Sequence, residues 1–497
     1  MMPTSATKRT LVARRATLAV GVGILVYSLM DVACSRHATE HDGEGLAFTG
    51  AAFQQRTVPT SRTIMQQQQQ PEVDVRAPGV TGKRKFKTLP VRIDDVWYDL
   101  GRWRQAHPGG DHFIDYYEGQ DATEVMHAFH SEKARAMLKR MPKLSEEAVE
   151  KQTAAPVSPI TRAFRKLRDR LEKDGWWQRD PWHETKLVGI WAALFFGGLA
   201  TAQLGGWKAW LSVIPLALAT TQAGWLGHDY AHGVDSWSQR FRMFGPLCAG
   251  LGVTWWGDKH NKHHALTNQM GADEDIATAP LLYTWAPHPE DDSPVRKIQG
   301  WFWPVPFSSM FALWRVATII DTIKALRKGR PGAKKELVCL AVHWAVVLSL
   351  VPVPIIFAFV TLSGFISATI VTATHQSEEL FEEFQPDWVT AQFLSTRDAR
   401  SRNPFTTWLW GGMQYQLEHH LFPSMPRSKY PKLAPILEKF AKDNNIPGGY
   451  RVSDEWDIVK MNVATYARVA KSDVGGPETP RVRDYDLVTG VGYQMAR

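Results

Sequence analysis

WKAWLSVIPLALATTQAGWLGHDYAH, residues 207–232, decides how the rest of the chain is read. Residues 207–226 are apolar apart from Lys208. That run approaches the roughly 20 residues a helix needs to cross a bilayer, and Lys208, at its end, can reach water along its own stem. Past Gly227 the run leads into His228 and His232. Spaced i and i+4, they share one helix face, one turn apart. The pattern predicts a membrane helix that carries two imidazoles to the membrane surface.

Working outward, LVGIWAALFFGGLATAQL (187–204) is also apolar, and Gly205–Gly206 separate it from the first run, so the two form a helical hairpin. A second apolar pair spans 337–374, with Pro352 and Pro354 marking the turn and His375 directly after it. His343, inside this run, reads as a core histidine bonded to a carbonyl. Two further apolar stretches, 244–256 and 301–320, are aromatic and proline-broken and read as interfacial or re-entrant. A crossing at 301–320 would instead invert everything downstream. Counting two crossings before HDYAH and two more before His375 puts every histidine cluster on one side of the membrane.

Two more clusters repeat the first one's spacing. HNKHH gives His260, His263 and His264; QLEHH gives Gln416, His419 and His420. Neutral imidazole is a common metal ligand and suits iron, copper and zinc. Seven cluster histidines and His375 are enough for two ions. The chain's three cysteines, Cys34, Cys248 and Cys339, are far apart and form no thiolate site. Net charge is +8 over 497 residues, but no basic stripe with interleaved aromatics points to nucleic acid. The charge and the 21 tryptophans fit a lipid surface.

Residues 96–138 carry a different chemistry. Trp97-Tyr98-Asp99-Leu100, His107-Pro108-Gly109-Gly110, Asp121-Ala122-Thr123 and His130-Ser131 occur in that order, and together they resemble cytochrome b5. The resemblance implies a haem b held between His107 and His130. His127 competes for the second position, and His112 reads as a surface residue. Two axial imidazoles suit electron transfer.

HDYAH, HNKHH and QLEHH together resemble the three histidine boxes of the membrane fatty acid desaturases. That resemblance implies two non-haem irons, O2 and two electrons per double bond. The glutamine that leads the third box, with the b5-like module, resembles the front-end desaturases, of algal, acyl-lipid type. It implies a cis double bond placed toward the carboxyl end of a polyunsaturated chain, with Δ6 on C18 chains preferred. A sphingolipid Δ8-desaturase or a membrane hydroxylase uses the same scaffold. The implied ligands are His228, His232, His260, His263, His264, His419 and His420, with His375 as a further one. Gln416 stays between three roles: direct ligand, ligand through water, or orienting partner. Trp255, Trp256, Trp408 and Trp410 either line an acyl tunnel or form an interfacial belt. Asp273, Glu274 and Asp275 read as a solvated acidic turn.

The implied fold is an α-helical polytopic membrane protein, with two transmembrane hairpins under a histidine-rich di-iron cap and a small α+β b5-like domain before them. The expected divisions are a signal-like segment (1–35), a transit-like or disordered stretch (36–82), the haem module (83–145), a linker leading into a surface helix (146–180), the desaturase domain (181–450) and a tail (451–497). The basic start, the apolar run 16–30 and the acid-poor stretch 45–70 resemble a signal peptide followed by a plastid transit peptide. A retained anchor is the alternative for the first segment. A plastid membrane is therefore favoured over the endoplasmic reticulum. Expected partners are lipid acyl chains, O2 and an electron donor, either cytochrome b5 reductase or ferredoxin.

Overall fold

A computed structural model describes residues 87–481. The signal-like segment, 1–35, and the transit-like stretch, 36–82, both lie outside the described residues. The haem module begins with an antiparallel hairpin, Pro90–Ile93 against Val96–Asp99. Its tight turn needs two residues with positive φ. Asp94 and Asp95 supply them, at 51° and 62°. Alternation turns Val91 and Ile93 inward, where they join Tyr98, Leu100, Ile114 and Tyr117 in a buried core.

That core continues into the second domain, because Ala265, Leu266 and Ala272 belong to it. Tyr117 Oη donates to the Ala265 carbonyl at 2.9 Å. Charges pin the same contact from two sides. Arg165 binds Glu124 at 2.7 Å and Asp121 at 3.1 Å. Arg330 binds Asp258 at 2.8 Å and donates to the Pro108 carbonyl at 3.3 Å.

Three helices are long and apolar enough to cross a membrane by length and composition: Pro181–Ala202, Gly206–His232 and Val353–Ala373. The first two form the expected hairpin. The second pair is also helical, Ala333–Leu350 and Val353–Ala373, with its turn where the prolines stand. Only its second member meets the spanning criterion, so the described residues show the first hairpin and one further helix of spanning character, and a second transmembrane hairpin is not confirmed. Residues 333–350 start with Lys334, Lys335 and Glu336, and they bury Glu336 and His343 against protein. These two polar groups thus face protein, while the apolar Val338 and Leu348 on another face stay exposed. His343 Nδ1 lies 3.0 Å from the Leu247 carbonyl, the core contact expected for it.

The stretch read as proline-broken contains one continuous helix, Pro304–Arg327. Its prolines stand in the first turn, where a missing N–H removes no helical hydrogen bond. Near its start Phe307 packs on Tyr466, which donates to Gln376 beside His375. Just past its end Arg330 reaches Asp258 of the second box helix. Both ends therefore lie on the histidine side.

Two peripheral segments are more integral than expected. Helix Pro159–Lys173, capped by Ser158 at Thr161, buries Phe164, Leu167 and Leu171 in one core with Leu417, Leu421 and Phe422 of the third box. Each such burial is worth roughly 1.5–3 kcal/mol. Within the stretch expected as a tail, strand Val452–Asp454 pairs in parallel with Asp398–Arg400. Helix Glu455–Val469 then buries Ile458 and Tyr466 completely.

Docking of the haem module generates a prediction. Arg165→Ala leaves the buried Glu124 without its partner, at a cost of about 3 kcal/mol. Limited proteolysis should then cut the 150–158 connection faster than in the parent chain, and unchanged cutting would contradict the docking role.

Candidate functional site

Helix Val213–His232 ends on its own histidine pair, and Val253–Ala265 carries His260, His263 and His264 through its last turns. His375 stands just past the Val353–Ala373 helix, and the short Gln416–Leu421 helix brings Gln416, His419 and His420. His264, His419 and His420 are fully buried, and His228, His232, His263, His375 and Gln416 nearly so. All eight expected histidines meet, in two groups. His228, His232, His260, His264 and His419 have ligand nitrogens within 4.8 Å of one another, as do His263, His375 and His420.

The donor set fits two cations. His260 Nε2 stands 3.1 Å from both His228 Nε2 and His264 Nε2, and His263 Nε2 stands 3.4 Å from His375 Nε2. His232 Nε2, His419 Nε2 and His420 Nε2 are buried without hydrogen-bond partners. Lone pairs converging in this way are costly by themselves and suit a shared positive ion. Burial first, and neighbouring imidazoles second, hold His260, His264, His419 and His420 well below the ordinary histidine pKa. Neutral rings are what a metal requires.

The opposite ring nitrogens are held by a second layer, the device that orients metal-bound histidine. His263 Nδ1 meets Asp273 at 2.7 Å, and His420 Nδ1 meets Gln392 at 2.9 Å. His375 Nδ1 faces the Ser395 carbonyl at 3.0 Å and His419 Nδ1 faces Tyr430 Oη at 3.3 Å. His228 Nδ1 lies 3.3 Å from Asp229, which Arg427 holds at 2.5 Å. Asp273 therefore corrects the reading of 273–275 as a solvated turn: it is 1% exposed. It also meets Nδ1 of His263, while His375 meets Nε2, so the carboxylate orients the ring from outside the cluster. The sequence signal for it was the acidic run following the second box. Gln392, Ser395, Tyr430 and Arg427 had no such signal, because each comes from a different element.

Gln416 sits at the edge of the second group. Its Nε2 is 2.8 Å from His375 Nε2, and its Oε1 is buried without a partner. Rotating the amide exchanges those two atoms. Of the four tryptophans, Trp256 stacks on His260 with centroids 4.3 Å apart, and Trp410 is buried beside Trp225 and Met413. Trp255 faces Trp314, and the Trp408 carbonyl accepts from Gln222. Beside the third box, Glu418 and Asp398 are buried together, and Tyr450 Oη lies 2.8 Å and 2.6 Å from them. Burial and the facing Asp398 carboxyl hold Glu418 well above the usual carboxylate range.

In the haem module, the rings of His107 and His130 lie 6.0 Å apart, centroid to centroid. His107 Nδ1 faces the Gly110 carbonyl at 2.8 Å, and His130 Nδ1 faces the Met126 carbonyl at 3.2 Å. Both Nε2 atoms stay available, and two metal–imidazole bonds of about 2 Å fit that separation. His127 is committed on both nitrogens, to Asp94 at 2.9 Å and Arg135 at 2.7 Å. His112 is half-buried, and burial lowers its pKa to about 4.

The second layer gives a prediction. Asp273→Asn keeps shape but removes the charge that fixes His263. Metal affinity should fall about 10- to 100-fold, read as iron retained per chain under chelator competition. Parent-like retention would contradict an orienting role.

Comparison with known proteins agrees with this geometry. Residues 205–447 match the model of the fatty acid desaturase family, and residues 84–145 match the cytochrome b5-like heme/steroid binding domain. The chain is 30% identical over 441 residues to the Delta(6)-fatty-acid desaturase fat-3 of Caenorhabditis elegans, covering 77% of this chain and 96% of that one. It is 29% identical over 433 residues to a Delta(8)-fatty-acid desaturase of Euglena gracilis, covering 79% and 99%. An acyl-lipid 8-desaturase of Rebecca salina is 27% identical over 404 residues, covering 77% and 92%. A haem in the b5 domain and two irons at the histidines are the cofactors of this architecture. With buried imidazoles gathered for two ions and a haem-type module docked on them, the chain belongs to the fatty acid desaturase family, as a front-end desaturase with its cytochrome b5 domain fused.

Proposed function

We propose that this chain places a cis double bond on the carboxyl side of an existing one in a polyunsaturated acyl-lipid chain, at Δ6 of C18 substrates. The observation that carries the reading is the meeting of eight histidines in two groups beneath the docked haem module. His228, His232, His260, His264 and His419 hold one iron. His263, His375 and His420 hold the other, with Gln416 beside it as a weak ligand, directly or through water, or as the group that orients His375. When bound, the irons supply the oxygen chemistry that takes two hydrogens from adjacent carbons, a reaction beyond protein side chains. His107 and His130 hold the haem. Tethering keeps this electron donor at high effective concentration.

The chain's own groups then set the conditions. Burial keeps the ligand imidazoles neutral, and Asp273, Gln392, Tyr430 and the Ser395 carbonyl fix their orientation. Trp256, stacked on His260, offers an apolar wall where an acyl chain can bend toward the irons. Helices 333–350 and 353–373 act as the second membrane hairpin, and the domain divisions follow the sequence reading, with 159–173 and 452–469 added to the catalytic unit. A plastid membrane is the proposed location, with ferredoxin or cytochrome b5 reductase as the outside electron source. A Δ8 position is the second reading, because Δ8 relatives match the chain about as well as the Δ6 relative does.

Fatty acid profiling of a host fed C18 and C20 polyunsaturated acids tests the proposal. A new Δ6 bond in C18 chains is the expected product. Δ8 products would favour the second reading, and altered sphingoid bases alone would overturn the acyl-lipid assignment. In the same host, His107→Ala should abolish product even when separate cytochrome b5 is supplied, and normal product would make the fused module dispensable. Gln416→His should retain near two irons per chain yet lose most desaturation. Full activity would reduce the glutamine to a replaceable ligand.

A further inference from the structure

The haem module docks on the end of the second box helix through a particular pair of rings. Phe129 directly precedes His130, and its ring meets that of His264 edge-on, with centroids 6.1 Å apart and planes at 87°. Phe129 also packs against two cores at once, that of the haem module and that beneath the third box.

His264 differs from six of the other seven histidines. His228, His260, His263, His375, His419 and His420 each have a partner on Nδ1. His264 Nδ1 is buried without one. Trp388 and Gln392 bond only its carbonyl. Its ring is also the junction of the two groups. It stacks on His420 at 4.1 Å and lies within 4.6 Å of His419, His232 and His260.

We propose that Phe129 is the contact through which electrons pass from the haem held at His130 to the irons, entering at His264. The route is short and runs through aromatic rings packed between two apolar cores, which limits the solvent that has to reorganise when charge moves. His264 thus has an aromatic neighbour from the haem module and no polar partner on Nδ1. Each passage carries one electron, leaving the haem ferric. Two passages, two protons and the two hydrogens taken from the acyl chain reduce O2 to two waters, and a flavin or iron–sulfur reductase restores the haem. Phe129 itself is neither oxidised nor reduced. It acts by position, as the ring that joins two others.

This inference rests on the proposed haem and iron ligands, and the test separates the two. Full-length protein is reduced anaerobically with dithionite, then mixed with O2 and a C18 polyunsaturated acyl lipid. Haem reoxidation is followed in the Soret band, with the rate of iron-depleted protein subtracted. Haem spectrum and iron per chain are measured for every variant. Phe129→Leu should reoxidise several-fold more slowly with unchanged spectrum and iron, and Phe129→Tyr, which keeps a ring, should restore the rate. Tyr117→Phe, which removes a docking hydrogen bond off this route, should reoxidise like the parent chain. A parent-like rate in Phe129→Leu would overturn the route, as would equal slowing in Tyr117→Phe, which would mark docking as the cause. Absence of a b-type spectrum or of iron from the parent chain would instead overturn the ligand assignments and the route with them.

Discussion

Mutual crowding of neutral imidazoles is the constraint on which the rest of the structure depends. Eight histidines turn nitrogens toward one another within 4.8 Å in two buried groups. Without cations such an arrangement leaves buried acceptors unmatched, at a cost of about 1–3 kcal/mol each. The fold bears that cost through rigid delivery. One spanning helix ends at His232, another stops just short of His375, and the helices Val253–Ala265 and Gln416–Leu421 bring the other two boxes. Behind six of the eight rings a carboxylate, amide, hydroxyl or carbonyl meets Nδ1.

The same requirement explains the periphery. The third box sits on a helix of only six residues, Gln416–Leu421, too short to be stable alone. It is held by packing against Phe164, Leu167 and Leu171 from before the membrane domain, and by strand pairing of 398–400 with 452–454 after it. Segments that look like a linker and a tail thus brace the histidine cluster. The haem module is braced there too, through Arg165, Tyr117 and Arg330, which places an electron donor in direct ring contact with the box-two helix.

The histidine clusters were legible in the sequence because helical spacing is a local property. HDYAH and HNKHH declare their faces without any knowledge of the fold, and apolar length declares the first hairpin. The second hairpin was less legible. Residues 333–350 are apolar on average, yet Glu336 and His343 are buried against protein, and a hydropathy pattern does not distinguish burial in lipid from burial in protein. Pro304 and Pro306 looked like breaks because composition does not reveal that they open a helix. Asp273 was assigned to solvent, since an acidic run usually is solvated; only the tertiary approach of His263 gives it a role. Phe129 and Gln392 carry no motif and become visible only when the two domains meet.

The most direct test of the account is anomalous diffraction at the iron edge from crystals of the full-length chain. The account predicts two non-haem iron peaks, one among His228, His232, His260, His264 and His419 and one among His263, His375 and His420, with a separate haem iron between His107 and His130. A single non-haem peak, or none, at the histidine clusters would contradict it.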